Sequence, residues 1–251
     1  MLLQPITDPW FYAVAVPAVL LLGISKSGFG SGFGSLAVPM MAMAVTVPMA
    51  AAILMPVLAV MDVLGVWAYR RDVDRVLLRE LIPLALLGTV LGTLSFRWLN
   101  SQTVAGVVGV LTLIFLAQRR FFPPQQERHT PPKGLGALLT VTSGFTSFVA
   151  HAGGPPINAY LLPMRLAPVR FTATMAVLFF VVNLSKWLPY AWLGLLDTQN
   201  FATSLVLLPL APMGVWLGVR MARRIRIVAF YRFIEVGMLL TGLKLVWDAW
   251  R

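Results

Sequence analysis

The chain has 251 residues, 59% hydrophobic and 12% charged, with a mean hydropathy of +0.82. That composition excludes a soluble globular domain and places the chain in a lipid bilayer as an all-α polytopic membrane protein. The net charge of +11 reads as basic cytoplasmic loops against anionic lipid, not as a nucleic-acid surface, and the lack of cysteine excludes disulfides, thiolate metal sites and cysteine nucleophiles.

The first apolar stretch, 9–26, starts almost at once, with no basic leader and no small-residue cleavage site, so no cleavable signal peptide is expected. It runs into a glycine-rich polar break from Gly23 to Gly34 that holds Ser25, Lys26, Ser27, Gly28, Gly30, Ser31 and Gly32 and leads to Pro39. Further apolar stretches follow at 34–47, 49–68, 77–96 and 102–118. Residues 119–133 hold Pro123, Pro124, Pro131 and Pro132 among polar side chains and read as an exposed linker. After it come 134–150, a short piece at 156–165, then 170–189, 199–219 and 229–248. Between 134–150 and 156–165 lies a second break, from Ser143 to Asn158, with Thr146, Ser147, His151, Gly153, Gly154, Pro155 and Pro156, leading to Pro163.

The linker divides two related repeats, 1–118 and 134–251. Pro83-Leu84-Ala85-Leu86-Leu87-Gly88-Thr89-Val90-Leu91-Gly92 and Pro209-Leu210-Ala211-Pro212-Met213-Gly214-Val215-Trp216-Leu217-Gly218 share the pattern Pro-Leu-Ala-x-x-Gly-x-x-x-Gly. Small residues at that spacing are common in membrane helices, but the shared Pro-Leu-Ala and the matching order favour duplication.

Basic residues set the expected orientation. Arg70, Arg71, Arg75 and Arg79, the linker's Arg119, Arg120, Arg128 and Lys133, Arg165 and Arg170, and Arg220, Arg223, Arg224, Arg226 and Arg232 are all assigned to the cytoplasm. Turns near 44–48 and 189–200 hold no lysine or arginine, and 97–102 holds only Arg97, so these face outward. Threading the chain through these constraints gives two inverted repeats, each a broken helical hairpin plus three transmembrane helices. Both termini are then outside, and the breaks are hairpin tips that meet near the midplane. Trp10, Trp67, Trp98, Trp187, Trp192, Trp247 and Trp250 fall near segment ends and read as interfacial anchors.

Non-helical backbone at membrane depth is tolerated only where protein buries it or it lines a cavity, and paired breaks at matching places mark a transporter's binding site. After each break a short helix is expected, the first capped by Ser31 or Ser35, the second opened by Pro155-Pro156. Their two N-termini would present backbone N–H groups and partial positive charge to a small anion. The expected binding residues are Lys26, Ser27, Gly28, Gly30, Ser31, Gly32, Gly34, His151, Gly153, Gly154 and Asn158, with Ser25, Thr146 and Ser147 as further donors. Lys26 is the strongest of them, since charge inside an apolar segment is costly and usually functional. His151 titrates near neutral pH and is a candidate for a coupling proton. Asp62 is a second candidate for coupling and a candidate partner for Lys26 or a nearby arginine. Asn183 is secondary, and Lys186 is read as snorkelling to the outer surface. No motif calls for a cofactor or a metal.

At these residues the chain resembles the TauE/SafE family of sulfite exporters. The likeness is carried by Gly28-x-Gly30-x-Gly32-x-Gly34 leading to Pro39, and by His151-Ala152-Gly153-Gly154-Pro155-Pro156 leading to Pro163. It implies a multipass carrier of the bacterial inner membrane, with two related halves, for sulfite, thiosulfate or small organosulfonates. The first copy has serines and a phenylalanine where many members run consecutive glycines. The expected partners are that anion and the bilayer, and a homodimer is compatible with the sequence. A passive anion channel is the nearest alternative. An intramembrane hydrolase is a weaker one, because Gly-x-Ser-x-Gly and Ser-x-x-Lys are absent, and no Walker A motif points to ATP hydrolysis.

Overall fold

The computed structural model describes residues 4–30, 34–96, 98, 100–121, 131–194 and 197–250. Ser31, Gly32 and the centre of the linker, 122–130, lie outside the described residues. The first half comprises α1 (Pro9–Gly28), a 3-10 turn (Gly34–Leu36), α2 (Ala37–Met41), α3 (Val47–Tyr69), α4 (Arg75–Ser95) and α5 (Ser101–Phe121). The second comprises α6 (Lys133–Ala150), α7 (Gly154–Leu161), a 3-10 turn (Leu162–Met164), α8 (Pro168–Trp192), α9 (Thr198–Leu207), α10 (Leu210–Arg224) and α11 (Ile227–Ala249). Pro9–Gly28, Met49–Tyr69, Arg75–Ser95 and Pro168–Trp192 are each long and apolar enough to cross a bilayer, and α9 with α10 forms a fifth such unit as a bent pair. The protein is an all-α membrane protein, and Leu94, Leu188, Trp98 and Trp250 stand exposed on its outer surface as lipid-facing side chains do.

Helix starts follow local chemistry. Asp8 caps α1 through the Trp10 N–H at 2.9 Å, Asp74 caps α4 through Leu77 N–H at 3.1 Å, and Asp197 caps α9 through Asn200 N–H at 2.7 Å. The helix after the first break departs from expectation. The cap position of α2 is Leu36, with no side-chain bond; Ser35 lies inside the 3-10 turn, and Ser31 is outside the described residues. Within the expected apolar segment 34–47, α2 covers only the five residues Ala37–Met41, and Val47 already begins α3. With so few aligned peptides, α2 has no useful macrodipole.

The segment 199–219 is likewise not one helix. α9 and α10 meet at a 50° bend across Leu208 and Pro209. Proline lacks the N–H a continuous helix needs and its ring clashes with the preceding turn. The equivalent Pro83 sits inside an unbroken α4. The difference lies in Pro212, a second proline that removes another donor just after the bend.

Packing joins the halves by exchange. α1 lies on α10, where a Cβ added to Gly23 would come 2.9 Å from Gly214 Cα and one added to Gly218 would come 2.7 Å from Ile24 O. α6 lies on α4, where a Cβ on Gly144 would come 1.9 Å from Ala85 O and one on Gly88 would come 2.0 Å from Val141 O. Each Pro-Leu-Ala-x-x-Gly-x-x-x-Gly helix therefore receives the break-bearing helix of the other half, at backbone contact that only glycine permits. α3 crosses α8, and α5 runs along α11.

Polar contacts then sort the ends of the bundle. Arg170 pairs with Asp74 at 2.9 Å, Arg223 reaches Ala68 O at 3.0 Å, and Tyr231 Oη donates to Leu166 O at 2.8 Å, which gathers the basic segments at one end. At the other end Ile6 N–H donates to Thr203 Oγ1 at 3.0 Å and Ser204 Oγ to Ile53 O at 2.7 Å.

Candidate functional site

The two breaks line one cavity of about 50 Å³. Leu22 and Lys26 come from α1, Gly34 from the first break, Ala37 and Val38 from α2, and Leu54 and Leu58 from α3. Ser147 comes from α6, His151, Gly153 and Gly154 from the second break, and Phe179, Asn183 and Lys186 from α8.

α1 has 20 residues and α6 has 18, so each runs about 30 Å, close to a full span. At the end of α1, Ser27 O accepts from Tyr69 Oη at 2.5 Å and Gly28 O from Thr172 Oγ1 at 3.2 Å, both near the basic end of the bundle. At the end of α6, Phe148 O accepts from Tyr190 Oη at 3.2 Å, near the far end of α8. Tyr69 and Tyr190 both reach back 42 residues to carbonyls that a helix end leaves unpaired.

Lys26 Nζ lies 2.5 Å from Asp62 Oδ1, with the two side chains 5% and 1% exposed. Asp62 Oδ2 accepts from Asn183 Nδ2 at 2.9 Å, across the crossing of α3 and α8. Asp62 is thus the partner of Lys26, beside the cavity and not lining it. Lys186 corrects the snorkelling expectation: it is 1% exposed and turned inward. Its Nζ donates to Ser147 O at 2.8 Å, Ser147 Oγ at 2.7 Å and Asn183 Oδ1 at 3.1 Å. Asn183 and Lys186 are three positions apart, so they share one face of α8; that spacing was the available signal.

The second break is a built turn. α6 ends at His151 in the left-handed region, φ 52°, and Ala152 N–H returns to Thr146 O at 3.1 Å. Ser143 Oγ donates to Gly153 O at 2.6 Å and Thr146 Oγ1 to Ala152 O at 3.1 Å, which straps the turn onto α6. A Cβ on Gly153 would sit 2.7 Å from Ser143 O. Pro155 and Pro156 occupy the first turn of α7, as expected. They also lack two of the four N–H groups that a helix start leaves unpaired, so the α7 N-terminus offers the Gly153 and Gly154 donors with the dipole behind them. His151 Nδ1 is 3.4 Å from Tyr190 Oη, and its buried Nε2 has no partner among the described residues.

The other expected residues sit elsewhere. Gly28 packs against Gly218, and Gly30, at φ +56°, lies where a Cβ would come 2.4 Å from Phe171. Ser27 Oγ is buried without a partner among the described residues and does not line the cavity. Asn158 is fully buried in α7, with both amide atoms lacking partners among those residues. Ser25 and Thr146 are buried beside the cavity-lining positions. Among the described residues no cluster of His, Asp or Glu could hold a metal ion.

No curated protein and no solved structure matches the chain significantly. The family model described as sulfite exporter TauE/SafE matches residues 15–245, which takes in both breaks, every cavity-lining residue and both Pro-Leu-Ala helices. On that match the chain belongs to the TauE/SafE sulfite exporter family.

Proposed function

We propose that the protein is a secondary transporter that moves a small sulfur-containing anion, sulfite, thiosulfate or an organosulfonate, across a bacterial inner membrane. The family places it among transporters. The observation that carries the reading is the convergence of both breaks on one cavity with two ammonium groups and a helix N-terminus. One water needs roughly 10–15 Å³ of such space, so about 50 Å³ suits one small oxyanion. Leu22, Leu54, Leu58 and Phe179 make the remaining wall apolar, which excludes water and strengthens attraction to a bound charge. Lys26, Ser147, His151 and the Gly153-Gly154 backbone are the proposed contacts, with Gly34 leaving room for the ligand.

The proposed topology is inverted: basic loops and linker inside, both termini outside. Its supports are the gathering of the basic segments at one end, the N-terminus at the other, and the matched exchange of α1 onto α10 and α6 onto α4. His151 offers a route for proton coupling. Tyr190 Oη gives its own proton to Phe148 O and accepts from His151 Nδ1–H, which leaves Nε2 bare in the neutral ring, so Nε2 can donate to an anion only when the ring is protonated. Anion affinity is therefore expected to rise as pH falls through the range in which His151 takes up its proton, and His151→Ala is expected to flatten that profile. Indistinguishable pH profiles for the two proteins would remove the proton role. Calorimetric titration of the purified chain with sulfite, thiosulfate, sulfate and sulfoacetate tests the function itself. Saturable binding of at least one sulfur anion is expected; no binding of any of the four would overturn it.

A further inference from the structure

The two lysines of the cavity differ in their counter-charges. Lys26 has a carboxylate, Asp62, at 2.5 Å. Among the described residues, the equally buried Lys186 donates only to neutral oxygens: the carbonyl and hydroxyl of Ser147 and the amide oxygen of Asn183. Asp62 and Asn183 are 121 positions apart, and the same shift takes Tyr69 to Tyr190, Gly23 to Gly144 and Lys26 to Ser147. At matching places one half has lysine with aspartate and the other has serine with asparagine. The second lysine has instead been supplied by the crossing helix α8. With each group in its ordinary charge state, this cluster carries one cation too many. A buried ammonium without a counter-ion is expensive and persists where something completes it.

We infer that Lys186 is the counter-charge for the transported anion and that it sets the cargo's requirement for at least one negative charge. Lys26 also lines the site and can touch the anion, but Asp62 balances its charge, so that pair adds no net charge to the cavity. The anion takes the place of the carboxylate that Asn183 does not provide. This rests on reading the cavity as an anion site.

The test is calorimetric titration of sulfite into the full chain in detergent, comparing wild type, Lys186→Met and Lys186→Met/Asp62→Asn. Lys186→Met is expected to weaken binding by about 30-fold or more, as loss of one partner of a buried charge pair does. In anion-free buffer it should melt no lower than wild type, because an uncompensated charge has been removed. Adding Asp62→Asn releases Lys26, returns one net positive charge and should bring affinity back to within about tenfold of wild type. A purely structural Lys186 would not be rescued by removing a carboxylate on another helix. Lys186→Gln serves if the methionine variant does not fold, with the same loss expected. Wild-type affinity in a folded Lys186 variant overturns the inference, as does a folded double variant no tighter than the single. Absence of binding in the wild type overturns the anion-site reading instead, and the inference with it.

Discussion

Gly144→Ala is expected to leave little or no folded protein. Its new Cβ would lie 1.9 Å from Ala85 O, a backbone atom that no rotamer change can move, so α4 and α6 must separate. Gly88→Ala does the same from the opposite side, at 2.0 Å from Val141 O. Overpacking ordinarily costs about 1–3 kcal/mol, and more where, as here, the backbone cannot yield. Gly23→Ala and Gly214→Ala, with nearest contacts at 2.9 and 3.0 Å, are expected to cost less, because a shift of a few tenths of an ångström relieves them. Gly134→Ala meets nothing within 4 Å and should be neutral or slightly stabilising through helix propensity. Thermal denaturation of the four variants in detergent, with Gly134→Ala as control, checks the order. Gly144→Ala melting with wild type would mean that α4 and α6 do not touch as described.

The second large effect lies in the Lys26–Asp62 pair. Asp62→Leu leaves Lys26 and Lys186 together in a nearly dry interior, and Lys26→Met leaves Asp62 with one amide donor. Each single change is expected to cost about 3–5 kcal/mol, since a buried charge deprived of its partner keeps its desolvation penalty. The double variant Lys26→Met/Asp62→Leu should fall within about 1 kcal/mol of wild type, because an apolar pair of similar volume replaces both charges at once. Unfolding in mixed micelles gives the coupling energy directly. Single variants that each cost under about 1 kcal/mol would show the pair to be solvated, contrary to its burial.

The breaks were legible in the sequence because glycine and proline act locally, and a polar run in an apolar stretch has few explanations. The exchange of α1 onto α10 and α6 onto α4 was foreshadowed by the Pro-Leu-Ala motif, although a motif names the helix and not the surface it receives. The length of α2 was not legible, since the apolar character of 34–47 is shared by a buried turn and a helix. The bend at Pro209 was obscured by its motif partner Pro83, which stays inside a straight helix. Lys186 was misplaced for a more general reason. α8 is apolar on most faces, so its pattern carries little rotational phase, and a lysine six residues from the helix end can point outward or inward. Only the third dimension, which brings Ser147 and Asn183 to one ammonium, decides between them.

If the two breaks form one site through which a sulfur oxyanion is carried, the purified chain alone should transport it. The most direct measurement is uptake of radiolabelled sulfite by proteoliposomes containing the purified chain, with thiosulfate loaded inside. Saturable uptake is expected, accelerated by internal thiosulfate and lost in Lys186→Met. Uptake equal to that of protein-free liposomes, or rising linearly with concentration and indifferent to internal anion, would contradict it.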